Sequence, residues 1–211
     1  MLNPTPLASA ALSGDEAIAT PFGTLELQHS YPTDATSALL FDAMDLQRAC
    51  QAYIWSIPLV GFAAWRDAQN AGYGSGTRGT FAVLDTFVEK LGIVTANLTT
   101  PYVLNFDDLS AGPIVIDYPP GPSAGAVLDA WQRPVADLGL TGPDGGNGGR
   151  YLFLGPGHAF DDYDTNGLHT FRAATNNVMI GLRLLDSDPS FAETFKSALA
   201  IAPVGGDPVA T

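Results

Sequence analysis

Residues 95–157, TANLTTPYVLNFDDLSAGPIVIDYPPGPSAGAVLDAWQRPVADLGLTGPDGGNGGRYLFLGPG, decide the fold of this chain. The runs Tyr102–Phe106, Pro113–Tyr118, Ala126–Asp129 and Tyr151–Leu154 are short and of β type. Gly- and Pro-dense turns separate them, a pattern of brief strands. The GGNGG run at 145–149 supplies residues that tolerate positive φ, and it predicts a hairpin turn. A phosphate-cradling loop would need a helix to open after it, whereas the strand-like Tyr151-Leu152-Phe153-Leu154 follows. Thr170–Arg172 and Asn177–Leu184 complete the β part.

Outward from this stretch the period changes. Residues 1–18, rich in Ala, Ser and Pro, read as a loose arm, and Thr24–Leu27 as a short strand ended by a turn at Tyr31-Pro32-Thr33-Asp34. A helix capped by Thr33 or Thr36 follows, with Leu40, Met44, Ala49, Tyr53 and Ile54 at helical spacing. Pro58 is expected to kink it or restart a second helix, which ends between Trp65 and the Gly72–Gly79 cluster. Phe81, Leu84 and Val88 predict a third helical stripe, stopped by Gly92 and read as core. Asp188-Pro189 caps a final helix with Phe191, Phe195 and Leu199 on one face, and a linker-like tail follows. Helices first and strands later predict an α+β fold, with N-terminal helices packed on an antiparallel β-sandwich or jelly-roll. The expected divisions are an arm (1–30), a helical layer (31–92), a β-sandwich part with a closing helix (93–200) and the start of a linker (201–211).

Composition excludes some partners. The 211 residues hold 9 Lys+Arg against 22 Asp+Glu, a net charge of −13. A field of that sign repels phosphate backbones and anionic bilayers, so neither nucleic acid nor membrane is an expected partner. The single cysteine, Cys50, forms no intramolecular disulfide, and its apolar helical setting predicts a buried, inert thiol. No Lys or Arg precedes Arg48, so the N-terminus lacks the basic region of a signal peptide. A cytoplasmic protein and an exported one whose leader was removed both fit.

The runs Tyr31-Pro32-Thr33-Asp34 and Asp45-Leu46-Gln47-Arg48-Ala49-Cys50-Gln51-Ala52-Tyr53-Ile54-Trp55-Ser56-Ile57-Pro58 resemble the opening of the bacterial domain-of-unknown-function 1254 family. Thr95 to Tyr102, Gly112-Pro113-Ile114-Val115-Ile116, Asp129-Ala130-Trp131-Gln132-Arg133-Pro134, Gly142-Pro143-Asp144, Gly149-Arg150-Tyr151 and Thr175-Asn176-Asn177-Val178 continue the resemblance in order to about residue 185. It attaches no reaction to any residue. It implies a second β-rich domain, of unknown function 1214, after a linker, and export for many relatives. The resemblance thus implies the protein's own C-terminal domain or a companion fragment as partner, and an apolar surface near Phe191, Phe195 and Leu199 is expected to associate with a companion chain or with a second copy in a homo-oligomer.

Four constellations are candidates for chemistry. Asn97, Thr100, Tyr102, Trp131, Arg133 and Arg172 bring aromatic and scarce basic residues into the β region, where a guanidinium is expected to hold an anionic group against an aromatic wall; pairing with the chain's own acids is the structural alternative. Asp162, Asp164 and Asn166, with Gly167, read as the first half of a calcium loop. Ala173 stands where the bidentate Glu belongs, so a solvated acidic hairpin is the competing reading. His158 and His169, with distant His29, form no known zinc pattern. Asp107, Asp108, Asp117 and Asp129 are carboxylates from which an acid–base pair for glycoside hydrolysis is drawn. The leading expectation is a small-molecule or glycan-binding cleft completed by a second domain. The alternatives are a hydrolase with paired carboxylates, and an assembly domain recognisable by an apolar surface around Phe191, Phe195 and Leu199.

Overall fold

The computed structural model describes residues 14–74, 78–86, 99–204 and 209–210. The chain divides into two units, 1–57 and 58–211. In the first, β1 (Glu16–Thr20), β2 (Gly23–Gln28) and β3 (Tyr31–Pro32) form an antiparallel sheet in that order. Strand β1 thus begins inside the segment expected to be a loose arm, and Tyr31-Pro32 is paired strand instead of turn. The reversal falls one step earlier, at His29 and Ser30, both at positive φ (51° and 65°). Helix α1 (Asp34–Tyr73) follows, and Thr33 caps it by accepting from the Thr36 N–H at 3.1 Å. The buried Thr36 hydroxyl donates to the Glu26 carbonyl (2.9 Å) and accepts from the Glu26 N–H (2.7 Å), which ties the first turn to β2.

Helix α1 runs through Pro58 as one element and closes at Gly74, which has φ +65°. One expectation for it fails. Every residue from 45 to 55 is exposed, Leu46, Tyr53, Ile54 and Trp55 among them, so Cys50 is an exposed thiol and not a buried one. Helical spacing reports that one face is apolar; it does not say what covers it.

In the second unit, one sheet has the order β4-β5-β11-β7-β8 and the other β10-β9-β6-β12-β13. The first contains β4 (Ala82–Leu84), β5 (Tyr102–Asp108), β7 (Ser123–Asp129), β8 (Pro134–Gly139) and β11 (Asn177–Leu184). The second contains β6 (Ile114–Tyr118), β9 (Gly149–Leu154), β10 (His169–Arg172), β12 (Ala200–Pro203) and β13 (Val209–Ala210). Between them Val103, Val127, Val178, Ile180 and Leu182 pack with Ile114, Ile116, Tyr151 and Phe153 in one core. The fold class is the expected one, α+β with a sandwich-like pair of sheets, with β9 and β10 the parallel exception to antiparallel pairing. Helix α2 (Pro189–Ala198) is capped by Asp188 as its sequence predicts. Its Phe195 and the following Leu199 are fully buried, so they build core and not the assembly surface they were considered for.

Four local expectations need correction. Residues 82–84 are strand, not helix, because a run of alternating burial pairs with β5; Val88 and Gly92 of that stripe lie outside the described residues. The 145–149 loop joins β8 of one sheet to β9 of the other, so it is a crossover, although Gly145, Gly146 and Gly148 do take positive φ (56°, 82°, 75°). The acidic loop after β9 likewise leads to a parallel neighbour, which no hairpin can do. Strands β12 and β13 occupy what reads as linker, because an Ala-Ile-Ala-Pro run fits beside β6.

The alternation of β5 and β11 fixes what the outer face of the first sheet presents. Phe106, Met179 and Leu128 form one row of the register, and Phe62, Leu59 and Trp65 of α1 pack on it. Phe62 and Trp65 each meet the Phe106 ring edge-on at 5.4 Å. That contact puts the last turns of α1 beside the end of β5, where the candidate site lies.

A polar cavity at the open edge of β5

Strand β4 is three residues long and pairs only with Tyr102, Val103 and Leu104. The rest of β5, from Asn105 to Asp108, is therefore an edge that β4 does not reach, and residues 78–80 run beside it. The Asn105 side chain, fully buried, donates to the Thr80 carbonyl at 2.8 Å. Beside this edge is a cavity of about 260 Å³ lined by Arg66, Asn70, Arg78, Phe106, Asp107 and Asn177, among others.

Asp107 is the group with the least ordinary chemistry here. Its side chain is 1% exposed. Its Oδ1 accepts from the Asp108 N–H at 2.7 Å and faces Arg78 Nε at 3.4 Å, an ion-pair approach without a formed hydrogen bond. Its Oδ2 is buried and has no hydrogen-bond partner. Burial raises its pKa above the usual 3.8; the Arg78 charge and backbone donors oppose the shift without cancelling it. Arg78 is itself held by its Nη2, which donates to the Gly112 and Pro113 carbonyls. Arg66 donates to Asn177 Oδ1 at 3.0 Å and pairs with Asp67 at 2.9 Å. Asn70 Oδ1 is buried without a partner. The cavity thus combines two fixed guanidinium groups, two unmet acceptors and one aromatic wall.

The residues singled out from the sequence are dispersed. Asn97 lies outside the described residues. The Thr100 hydroxyl is buried and unpartnered. Tyr102 and Arg133 sit at opposite ends of the first sheet: Tyr102 pairs with Arg183, whereas Asp129, which binds Arg133, pairs with Val178. Arg172 is on the other sheet, exposed, with its guanidinium 4.7 Å above the Phe160 ring. The sequence set is therefore not one cleft.

Its acids are mostly engaged. Asp129 is 2% exposed and satisfied on both oxygens. Oδ1 takes the Trp131 and Arg133 N–H groups (2.9 and 3.0 Å), and Oδ2 takes Arg133 Nε and Nη2 (2.8 and 2.7 Å). Asp129 and Arg133 thus lock the β7–β8 turn, in which Gln132 has φ +58°. Asp117 pairs with Arg150 at 2.7 Å. Asp107 and Asp129 share a register row, but fully buried Val178 stands between them, so no open cleft separates the two carboxylates. Among the described residues no three His, Cys, Asp or Glu side chains converge to hold a metal. Asp164 Oδ1 accepts the Asn166 N–H at 3.0 Å, an ordinary Asx turn. The His169 ring lies tilted against Tyr151 at 4.9 Å, and the His158 ring is 6.2 Å from Tyr163.

Sequence reasoning missed Arg66, Asn70, Arg78 and Asn177. The scarcity of cations that drew notice to Arg133 and Arg172 applied equally to Arg66 and Arg78, which flank the same helix end.

The model of the family described as "Protein of unknown function (DUF1254)" matches residues 78–203. That span contains Arg78, Asp107 and Asn177, and leaves out Arg66 and Asn70. No curated protein matches the chain. Among solved structures, the crystal structure of the VPA0106 protein from Vibrio parahaemolyticus is similar, with a TM-score of 0.54 and 17% identity over 76% of this chain. The chain spans 40% of the length of that protein, and the likeness at this identity concerns fold alone. Among the described residues, no helix is long and apolar enough to cross a membrane.

Proposed function

This chain belongs to the DUF1254 family, whose function is unknown, and we propose that it is a small-molecule-binding domain whose ligand occupies the Arg66–Arg78–Asp107 cavity. The observation that carries this is Asp107, which lines a cavity of about 260 Å³ and whose buried Oδ2 has no hydrogen-bond partner. Leaving such a group unmet costs about 1–3 kcal/mol or more, a cost that a ligand donor removes. Hydroxyl groups suit the site, because each donates to Asp107 Oδ2 or Asn70 Oδ1 and also accepts from a guanidinium. The ligand class is accordingly a small polyol or monosaccharide, with Phe106 against its apolar face. Calorimetric titration of the full chain with a monosaccharide panel should yield a saturable binder whose affinity falls at least tenfold in Asp107→Ala. Panel-wide absence of binding, or binding indifferent to that substitution, would remove the proposal.

A second reading, association with another copy, rests on α1. Leu46, Cys50, Tyr53, Ile54 and Ile57 recur at i, i+4, i+7, i+8 and i+11, one continuous stripe, and the four large residues are 53–72% exposed. At about 200 Å² per large side chain, the stripe offers on the order of 500 Å² per copy. A two-fold pair then covers about 1,000 Å², the lower bound for a specific interface. Two stripes pairing antiparallel bring Cys50 of both copies near the axis. A short bismaleimide should cross-link the native chain into a dimer, and Tyr53→Glu should abolish the product. A monomer at all concentrations, with Cys50 alkylated singly, would refute the pairing.

A further inference from the structure

The outer face of the first sheet carries a second concavity, of different chemistry. Register sets its shape. The row Phe106–Met179–Leu128 is covered by α1, while the next row toward the strand ends is Leu104–Gly181–Ala126. The row after that begins with Tyr102 and Arg183. Successive rows on one face are about 7 Å apart. A row with glycine at its centre and alanine beside it leaves a trough between the Trp65 wall and the Tyr102–Arg183 wall. The resulting cavity measures about 350 Å³.

Its floor and walls are apolar apart from the Tyr102 hydroxyl and the Arg183 guanidinium. Arg183 is fixed at the mouth: its guanidinium lies 4.8 Å above the Tyr102 ring, and its Nη2 donates to the Tyr102 hydroxyl. Among the described residues it makes no ion pair with an acid, in a chain where acids outnumber bases by 22 to 9.

We propose that this trough binds a medium-chain carboxylate, its alkyl chain over Gly181 and Ala126 and its head group on Arg183. An apolar floor selects against polar ligands, and the unpaired guanidinium selects an anionic head. At roughly 30 Å³ for each water-sized unit, the volume of about 350 Å³ admits about twelve heavy atoms. The trough is separate from the polar cavity: Arg66 and Arg78 line that one, Arg183 this one. Either site stands without the other.

The test is calorimetric titration of the full chain with decanoate below its micellar concentration, repeated with decanol. Decanoate should bind saturably at one site per chain, and decanol at least tenfold more weakly. Arg183→Gln, an exposed substitution, should reduce decanoate affinity to that of decanol. Gly181→Leu should fill the trough and abolish binding; a Cβ there meets only side-chain ends, Met179 Cε at 3.3 Å and Leu104 Cδ2 at 3.5 Å, which can yield. Equal binding of acid and alcohol, or decanoate binding unchanged by Arg183→Gln, would place uptake on other apolar surface and overturn the proposal, as would no binding. Should Gly181→Leu fail to fold, the Arg183→Gln and decanol comparisons still decide.

Discussion

At the scale of single residues, two buried aspartates on one sheet have opposite standing. Asp129 spends four hydrogen bonds on the β7–β8 turn, whereas Asp107 leaves one oxygen unmet. Replacing Asp129 by Ala should cost about 1–3 kcal/mol, because buried backbone donors lose their acceptor. Replacing Arg133 by Ala should also cost about 1–3 kcal/mol, because it strips the buried Asp129 Oδ2 of its donors although the arginine side chain itself is 61% exposed. Paired urea melts measure both; a loss near zero for either would contradict the turn-lock account. For Asp107 the sign runs the other way. Its folded pKa is raised, chiefly by burial, so the unfolded chain ionises first. The folded state carries no penalty from this group below pH 3.8, and gains one as pH rises from 3.8 through the folded value. Thermal melts of Asp107→Asn should therefore gain stability relative to wild type across that window and hold the difference above it. A constant difference at every pH would contradict the raised pKa.

At the scale of elements, the lesson concerns which signals travel. Strands at Tyr102–Phe106, Tyr151–Leu154 and Asn177–Leu184 and the capped helix after Asp188 were legible, because period, turn chemistry and cap residues are local. Strand partners were not. The glycine loop at 145–149 demands positive φ in a hairpin and in a crossover alike, so its sequence does not distinguish them. What pins that crossover is Asp144: its Oδ1 accepts the Tyr151 hydroxyl, and its Oδ2 the Gly148 N–H at 3.1 Å. Tyr151→Phe should cost about 1–3 kcal/mol by stripping a buried acceptor of its donor, read by denaturant melts; no loss would mean the loop holds itself. The neighbouring Tyr118, hydrogen-bonded to Ser123 at 2.8 Å, is pushed up to about 12 by burial. Its protonated form is retained by folding, so that stability is whole below pH 10 and lost as pH climbs toward 12.

At the scale of the molecule, the residues singled out from the sequence do not come together in one cluster. Aromatic and basic residues of the β part drew attention to Tyr102, Trp131, Arg133 and Arg172, but alternation and register send these to two sheets and to both ends of one. The cavity forms where a long helix meets the end of β5 that β4 does not reach, a juxtaposition of Arg66, Asn70 and Arg78 with Phe106, Asp107 and Asp108 that no local pattern announces. The exposed stripe of α1 was likewise readable as an apolar face, and only its lack of cover distinguishes it from core.

The most direct measurement is NMR of the arginine Nε–Hε groups during titration with the best monosaccharide of the panel. The account predicts saturable shifts confined to Arg66 and Arg78, with Arg133, Arg150, Arg172 and Arg183 unmoved. Shifts at those other arginines with Arg66 and Arg78 silent, or no shift at any, would contradict the claim that the open edge of β5 is where this domain meets its ligand.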